Sequence, residues 1–567
     1  MKICEQLSYY DRAIVRQERD VELMIQVVSF AGLVICGLVA WYVYSQLKVK
    51  QKIRNEWGKL PSPTKYDKED SLAKAYDVWR KQQAKMYQID DTTWYDLDMW
   101  SVFQMLNKTE TSVGSESLYQ RLREYDASED LSDLKNMMTF FDKHPETREK
   151  VQYHLVKMGK QDNNYLLPHI ETPEKQSIPY EPYYWFLGAG LIVSLLLTAV
   201  AGKIGLYLLL LFLCVNVLTY YRVKSFLETE FRTLRYLSEL AGLSAKLKKT
   251  SVPLPAETHS AISEVQSLGR YSNAFRVSGT TEAEILVEYV NIVLLLPVFA
   301  YIRLNRLLKS KQEAIRAVYK AVGQIEVALA LNNFKLAKTV CEATEMKSRG
   351  VEAVGLRHPL IDECVPNPVC WEQATLVTGS NASGKSTYVK AIAINLILAQ
   401  TVGIAIADTF NYFPGLVMTA MAVEDDVLAG DSYFIAELKS LHRVISQVED
   451  GVMVYGFIDE ILKGTNTIER IASSASVMVW LSRSQALVLV ATHDIELTEI
   501  LHDTCANIHF RETISDEQGM MFDFKVRSGA STTSNAILLL DHLLFPQEIV
   551  QAANRRAADY RDTRVWT

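Results

Sequence analysis

Cysteine is scarce in this chain and poorly arranged for cross-linking. The seven cysteines (4, 36, 214, 341, 364, 370 and 505) are odd in number and form no Cys-x-x-Cys pair, and two of them, Cys36 and Cys214, lie inside long apolar runs. No disulfide framework or zinc site is readable from them, and they read as reduced packing residues. Glycine (25) and proline (15) are too few in 567 residues for a collagen-like or low-complexity chain. There is no internal repeat. A basic balance is missing too: the net charge is -7 and the pI about 5.9, so no global positive field draws the protein onto nucleic acid. With 49% apolar residues the chain is not wholly disordered. Its length leaves room for roughly three or four domains. The mean hydropathy of 0.00 is high for a chain with 22% charged residues, which points to apolar residues concentrated in a few places.

Those places are readable. Leu23 to Leu47 contains no charged residue, and Tyr183–Ala201 and Ile204–Tyr221 form two further runs separated only by Gly202-Lys203. At about 1.5 Å per residue each can cross a hydrocarbon core of about 30 Å, and the second and third read as a helical hairpin. A cleavable signal peptide fits the first run poorly, because acidic residues (Asp11, Glu18, Asp20 and Glu22) precede it. The reading is three transmembrane helices: a short extracytoplasmic N-terminus (1–22), a first span (23–47), a cytoplasmic helical region (48–182), a hairpin (183–221) and a cytoplasmic remainder. Lys48, Lys50, Lys52, Arg54 and Lys59 after the first span, and aromatics such as Trp41, Trp185 and Tyr221 near the run ends, agree with that orientation. The expected location is a membrane, as a multi-pass protein of a bacterial plasma membrane with its C-terminal domain in the cytoplasm. Ile285–Ile302 is also apolar, but Glu288, Asn291 and Pro297 make it a core or interfacial helix.

Residues 222–350 are rich in Glu, Lys, Arg, Leu and Ala and read as a helical core and lever region. From 351 to 567 short β-rich runs alternate with helical stretches, the texture of an α/β domain. Within it, Gly379, Ser380, Asn381, Ala382, Ser383, Gly384, Lys385 and Ser386 fit the phosphate-loop pattern G-x-x-x-x-G-K-[ST], with Thr387 opening the next helix. The strand-like Ala374–Thr378 precedes it and the helical Thr387–Gln400 follows. Backbone N–H groups of such a loop turn onto phosphates, the lysine reaches the β- and γ-phosphates of ATP, and the serine hydroxyl ligates Mg²⁺. The apolar run Val452–Ile458 ends in Asp459-Glu460, which places a Mg²⁺-shell carboxylate (Asp459) beside a candidate general base (Glu460). A further apolar strand, Leu487–Ala491, delivers Thr492-His493, and a histidine there can sense the γ-phosphate. Lys385, Glu460 and His493 are the catalytic candidates, and Ser386 and Asp459 the metal candidates. Their order is that of ABC-type ATPases.

Several segments resemble the MutS DNA mismatch-repair family: Thr378–Tyr388 its nucleotide loop, Asp459–Thr467 and Ala491–Thr498 the two later motifs, and Asp425–Glu437 its signature segment. Arg357-His358-Pro359, Ser534-Asn535-Ala536 and Phe545-Pro546 are similar to other parts of that family's ATPase domain, and Ile89–Thr93 and Leu106–Ser115 to the opening of its core domain. The resemblance implies an α+β multidomain chain with a helical MutS-like core and an ABC-type ATPase working as a homodimer. It also implies that Ser432 completes the partner subunit's ATP site. The departures are equally specific. There is no room for mismatch-reading and connector domains, and Phe226-Leu-Glu228 matches the family's Phe-x-Glu reader in letters alone. A basic helical patch, Arg303, Arg306, Lys309, Lys311 and Arg316, has spacing suited to phosphates of DNA or of membrane lipid. The leading expectation is a membrane-anchored MutS-like ATPase whose motion acts on the hairpin, on DNA or on a protein partner of unknown identity. DNA binding rests on the resemblance, and the missing reader argues against mismatch specificity. The alternatives are a structural or signalling ATPase without DNA and an ABC transporter subunit. The last is disfavoured because no LSGGQ-like signature occurs.

Overall fold

A computed structural model describes the chain except for residues 1–28, 31, 34–35, 38, 82–86, 127–130, 163, 172–177, 179, 276–281, 381–382, 422–432, 516–518, 532–536, 538–539, 542 and 564–567. The N-terminal layer is helical. Helix α1 (39–56) docks on α7 through a bidentate Arg54–Glu149 pair and the Lys157 ammonium facing the Tyr42 ring. Between them run α2 (Glu69–Arg80), β1 (Tyr87–Gln88), α3 (Asp91–Asp96), α4 (Met99–Leu106), α5 (Ser112–Arg123), β2 (Glu124–Tyr125), α6 (Ser132–Lys143) and α7 (Pro145–Met158), with α8 (Leu166–Glu171) after them. The helix starts follow from sequence. The Asp90 carboxylate caps α3 by accepting from Thr93 N, the Thr111 hydroxyl caps α5, and Pro145 opens α7, where its missing N–H has no intrahelical partner to lose.

The hairpin is α9 (Glu181–Ala201) and α10 (Lys203–Leu247), joined at Gly202 in a positive-φ conformation (φ 52°). A Cβ at Gly205 would lie 2.3 Å from the Thr198 nitrogen, so only glycine permits the two helices to approach so closely there. Helix α10 continues past the apolar run into the body, with non-helical angles at Leu227 (φ -115°, ψ 26°). Above that point it exposes Leu206, Leu210, Leu211 and Leu218; below it Leu234, Leu237, Leu240 and Leu243 are buried. Next come α11 (Ala256–Val265), a 3₁₀ segment (Gln266–Phe275), α12 (Glu282–Val293), α13 (Leu296–Ser310) and α14 (Gln312–Ala337). The apolar stretch Ile285–Ile302 thus divides between α12 and α13, and Phe299 packs on Trp185 at the hairpin base.

The expectation of three transmembrane helices is corrected. Among the described residues two helices, α9 and α10, are long and apolar enough to cross a membrane. Part of the 23–47 run lies outside the described residues, and its described aromatic end belongs to α1, which runs on into charged sequence and packs on α7. A charge-free stretch meets a length criterion in sequence, but it does not reveal that its end continues in one helix with a charged segment that Arg54 fastens to α7.

Helix α14 leads into the C-terminal domain and is the centre of the body. Gly323 lies against Ser117 of α5, and the buried Glu326 carboxylate accepts from Glu110 N (2.5 Å), Thr111 N (3.2 Å) and the Thr111 hydroxyl. The C-terminal domain holds two sheets. The first is mixed, in the order β5-β4-β8-β3-β7, from β3 (Cys341–Glu345), β4 (Val351–Leu356), β5 (Asn367–Trp371), β7 (Ile404–Ala405) and β8 (Thr409–Tyr412). The second contains β6 (Thr375–Thr378), β9 (Leu416–Ala420), β10 (Val454–Asp459), β11 (Leu487–Ala491), β12 (Ala506–Ser515) and β13 (Gly519–Ser528), in the order β13-β12-β6-β11-β10-β9. Its strands are parallel apart from the antiparallel edge strand β13. Helices α15 (Lys385–Val402), α16 (Tyr433–Glu449), α17 (Thr467–Ser482), α18 (Ile495–Ile500) and α19 (Gln547–Thr563) complete the domain. Strands β6, β10 and β11 are almost wholly buried and apolar, as expected for parallel strands covered on both faces.

The helical layer and the second sheet meet at α3. The Asp96 carboxylate accepts from the Thr419 hydroxyl (2.6 Å) and from Met421 N (3.1 Å), and Thr419 N donates to the Thr93 hydroxyl (3.2 Å). Arg443 of α16 donates to the Asp90 carboxylate and to the Thr419 carbonyl.

Candidate nucleotide-binding site

The strand order places three carboxyl ends side by side. Val377 of β6 is in register with Ala491 of β11, and Ala491 with Asp459 of β10. The residues just beyond are fixed by backbone bonds: Thr492 N donates to the Val377 carbonyl (3.0 Å) and Glu460 N to the Ala491 carbonyl (2.8 Å). The loop after β6, the carboxylates after β10 and the histidine after β11 therefore converge at the carboxyl edge of the sheet, where open α/β sheets bind ligands.

Lys385 opens α15 and is buried at 5% exposure, its Nζ donating to the carbonyls of Gly379 (2.6 Å) and Ser380 (2.8 Å). His493 Nε2 lies 3.4 Å from that Nζ and 3.5 Å from Glu460 Oε1. The Ser386 hydroxyl donates to Asp459 Oδ2 (3.1 Å), and Lys463 Nζ lies 3.5 Å from Glu460 Oε2. Burial, with the Lys385 ammonium beside it, lowers the His493 pKa below its ordinary value, so the imidazole is neutral at neutral pH. The next residue, Asp494, is held by Arg470 of α17 through two bonds of 2.9 and 2.7 Å.

The residues present fit ATP with Mg²⁺. A Cβ at Gly379 would lie 2.7 Å from the Phe510 carbonyl, and Gly384 takes a φ of +101°, so both glycines are required by the loop's own geometry. The N-terminus of the 18-residue α15 points its free N–H groups at the same place. Ser386 and Asp459 offer two hard oxygens, and no cluster of three or more His, Cys, Asp or Glu suited to a metal occurs among the described residues. That donor set suits Mg²⁺, which takes one or two protein oxygens and completes its shell with phosphate and water.

Of the residues expected from sequence, Gly379, Ser380, Ser383, Gly384, Lys385, Ser386, Asp459, Glu460 and His493 come together here. Asn381, Ala382 and Ser432 lie outside the described residues. Thr387 faces a neighbouring cavity of about 170 Å³ walled by Leu356, Val365, Tyr388, Phe510 and Phe524, with Gly384 at its inner edge. An apolar, aromatic-walled slot beside the phosphate loop has the chemistry to hold a nucleobase. Sequence reasoning missed it, because Phe510 and Phe524 are more than a hundred residues from the loop and reach it only through the β12–β13 pairing. The basic patch is largely spent on internal pairs: Arg306 with Glu181, Arg316 with Glu171 and Glu313, and Lys311 with the Glu264 carbonyl.

The fold and the site together define a phosphate-loop α/β domain joined to a helical body. MutS domain V matches residues 375–561. The chain is 28% identical over 253 residues to the DNA mismatch repair protein MutS of Natronomonas pharaonis, a match covering 43% of this chain and 29% of that protein. It is 27% identical over 269 residues to the DNA mismatch repair protein MutS of Lysinibacillus sphaericus (45% and 31%), and 30% identical over 257 residues to the DNA mismatch repair protein MutS 2 of Halobacterium salinarum (42% and 29%). The C-terminal domain is thus similar to MutS domain V, with the match beginning at β6. These alignments span less than a third of the relatives' own length.

Proposed function

We propose that this protein is a membrane-anchored MutS-family ATPase that hydrolyses ATP at sites shared between two copies of the chain. The observation that carries the reading is the convergence of Lys385, Ser386, Asp459, Glu460 and His493 at one sheet edge. Lys385 exchanges its loop carbonyls for the phosphates, and Glu460 accepts a proton from the attacking water. The neutral His493 has a single N–H, which it presents toward the γ-phosphate beside the Glu460 carboxylate. Mg²⁺ held by Ser386 and Asp459 would supply charge neutralisation to the phosphates. In a homodimer, Ser432 from the signature segment of one copy completes the site of the other, and the ATP cycle closes and reopens the pair.

The anchor in this reading is the α9–α10 hairpin. Its long apolar surface is exposed, which is unfavourable in water and favourable in hydrocarbon. A hairpin returns the chain to the side it left, so the helical body and the ATPase domain share the cytoplasmic face, where ATP is found. Mismatch repair belongs to the relatives by name, and DNA is a proposed partner here only through them. The test is Glu460→Gln in the detergent-solubilised full chain. ATP binding should persist while steady-state turnover falls to background; turnover at the parent rate would overturn the assignment of the base.

A further inference from the structure

The loop after β10 holds an unfavourable backbone. Glu460 (φ 61°) and Leu462 (φ 59°) both occupy the left-handed region that residues with a side chain avoid. Such a loop persists only where its surroundings over-determine it, and the restraints can be named. Glu460 N is held by the Ala491 carbonyl, the Ile461 carbonyl accepts from the Ser474 hydroxyl (3.3 Å), and Ile461 and Leu462 are buried. The remaining restraint comes from a different element. Glu437, in the first turns of α16 and 8% exposed, accepts from Lys463 N at Oε1 and from Gly464 N at Oε2, each at 3.1 Å. Both oxygens are therefore committed to consecutive backbone donors, the way a carboxylate caps a helix N-terminus, although no helix starts there. Glu437 also borders a small cavity together with Asp459, Glu460 and Met421.

We propose that Glu437 is a positioning residue for hydrolysis: its carboxylate clamps the 463–464 backbone and so fixes the left-handed turn that aims Glu460 at His493. This rests on the reading of Glu460 as the general base. The clamp also gives α16 two functional ends. Glu437 holds the catalytic loop, while Arg443, farther along the same helix, holds Asp90 at the start of α3. A shift of α16 would thus be felt by Glu460 directly, with no intervening flexible segment.

The experiment compares Glu437→Gln, Glu437→Ala and Glu460→Gln with the parent full chain in detergent, measuring kcat, KM and binding of a fluorescent non-hydrolysable ATP analogue. Gln keeps one acceptor oxygen but turns an N–H₂ toward the second donor; Ala removes both acceptors. The expected result is a fall in kcat of about 10-fold for Gln and about 100-fold for Ala, the scale of an ångström-level misplacement, with KM and analogue binding within about threefold. A raised KM with unchanged kcat, or parent-like kcat in Glu437→Ala, would overturn the proposal. If Glu437→Ala does not fold, judged by lost analogue binding and a collapsed Tm, Glu437→Gln alone decides by the same split. Parent-like turnover in Glu460→Gln would instead overturn the reading of the base, which keeps the two failures distinct.

Discussion

Asp96 offers the sharpest test of how the helical body is fastened to the C-terminal sheet. It is 4% exposed and accepts from two donors of the C-terminal domain, the Thr419 hydroxyl at 2.6 Å and Met421 N at 3.1 Å. Truncation in Asp96→Ala leaves both donors facing a site without an acceptor. Hydrogen bonds to a carboxylate contribute about 1.5–3 kcal/mol each, and a buried donor left alone forfeits about 1–3 kcal/mol. Thr419 is fully buried, whereas Met421 is only partly so, and water can replace part of the second bond. The expected loss is therefore about 2–4 kcal/mol rather than the full sum. Thr419→Val removes the hydroxyl at constant shape and should lose about 1–2 kcal/mol. Because the two share one bond, the double variant should lose less than the sum, with a coupling of about 1.5 kcal/mol. Urea titration followed by tryptophan fluorescence, to which the fully buried Trp94 two residues from Asp96 contributes, measures all four corners of this cycle. A loss below about 1 kcal/mol in Asp96→Ala, or a coupling of zero, would refute the argument that this carboxylate fastens the two layers.

Two further outcomes follow from the body. A Cβ added at Gly323 would sit 2.7 Å from Ser117 Cβ, which cannot rotate away, so Gly323→Ala should lower stability by about 1–3 kcal/mol despite better helix propensity; adding Ser117→Gly should recover most of it in a denaturant titration. Burial pushes Glu116 and Glu326 up to about 7 and His169 and His358 down to about 4. Between about pH 4.5 and 6.5 the folded chain keeps two carboxyl protons that the unfolded chain releases, and it refuses two imidazole protons that the unfolded chain takes up. The two effects oppose, so these four groups leave stability nearly flat with pH; His169→Gln should tilt it to rise by about 1.4 kcal/mol per pH unit of acidification. Denaturant midpoints at several pH values in this window check the slope, and a parent-like slope in the variant would contradict it.

Much of the site was legible because its signals are local. The glycine loop, the apolar strand ending in Asp459-Glu460, and Leu487–Ala491 with its histidine each declare a strand and its end within a dozen residues. The observed strands β6, β10 and β11 fall within two residues of the sequence reading. What escaped is non-local. The Asp90–Arg443 and Asp96–Thr419 contacts join residues more than three hundred positions apart, and nothing in the short run Leu416–Ala420 marks which helix covers it. Glu437 stood in the signature-like segment as one acidic residue among several, and only the fold of the 459–464 loop shows what it holds. The count of spans failed for a related reason. Apolar length is a property of the run alone, whereas a transmembrane helix is also defined by what its ends do, and the first run continues into the charged part of α1 that Arg54 fastens to α7.

The continuity of α10 sets the mechanical scale of whatever the nucleotide cycle does. Its apolar half and its buried half are one 45-residue rod, and the single break in it is at Leu227. The rod's tip at Lys203 lies about 36 Å from that break at about 1.5 Å per residue, so a turn of about 10° there sweeps the tip through about 6 Å. In the proposed membrane-anchored reading a bilayer would resist such a sweep, so the stroke would be returned to the other side of the pivot and the body would rotate against a held tip. In a dimer, two such tips gripped by one membrane would fix how far apart the two bodies can open.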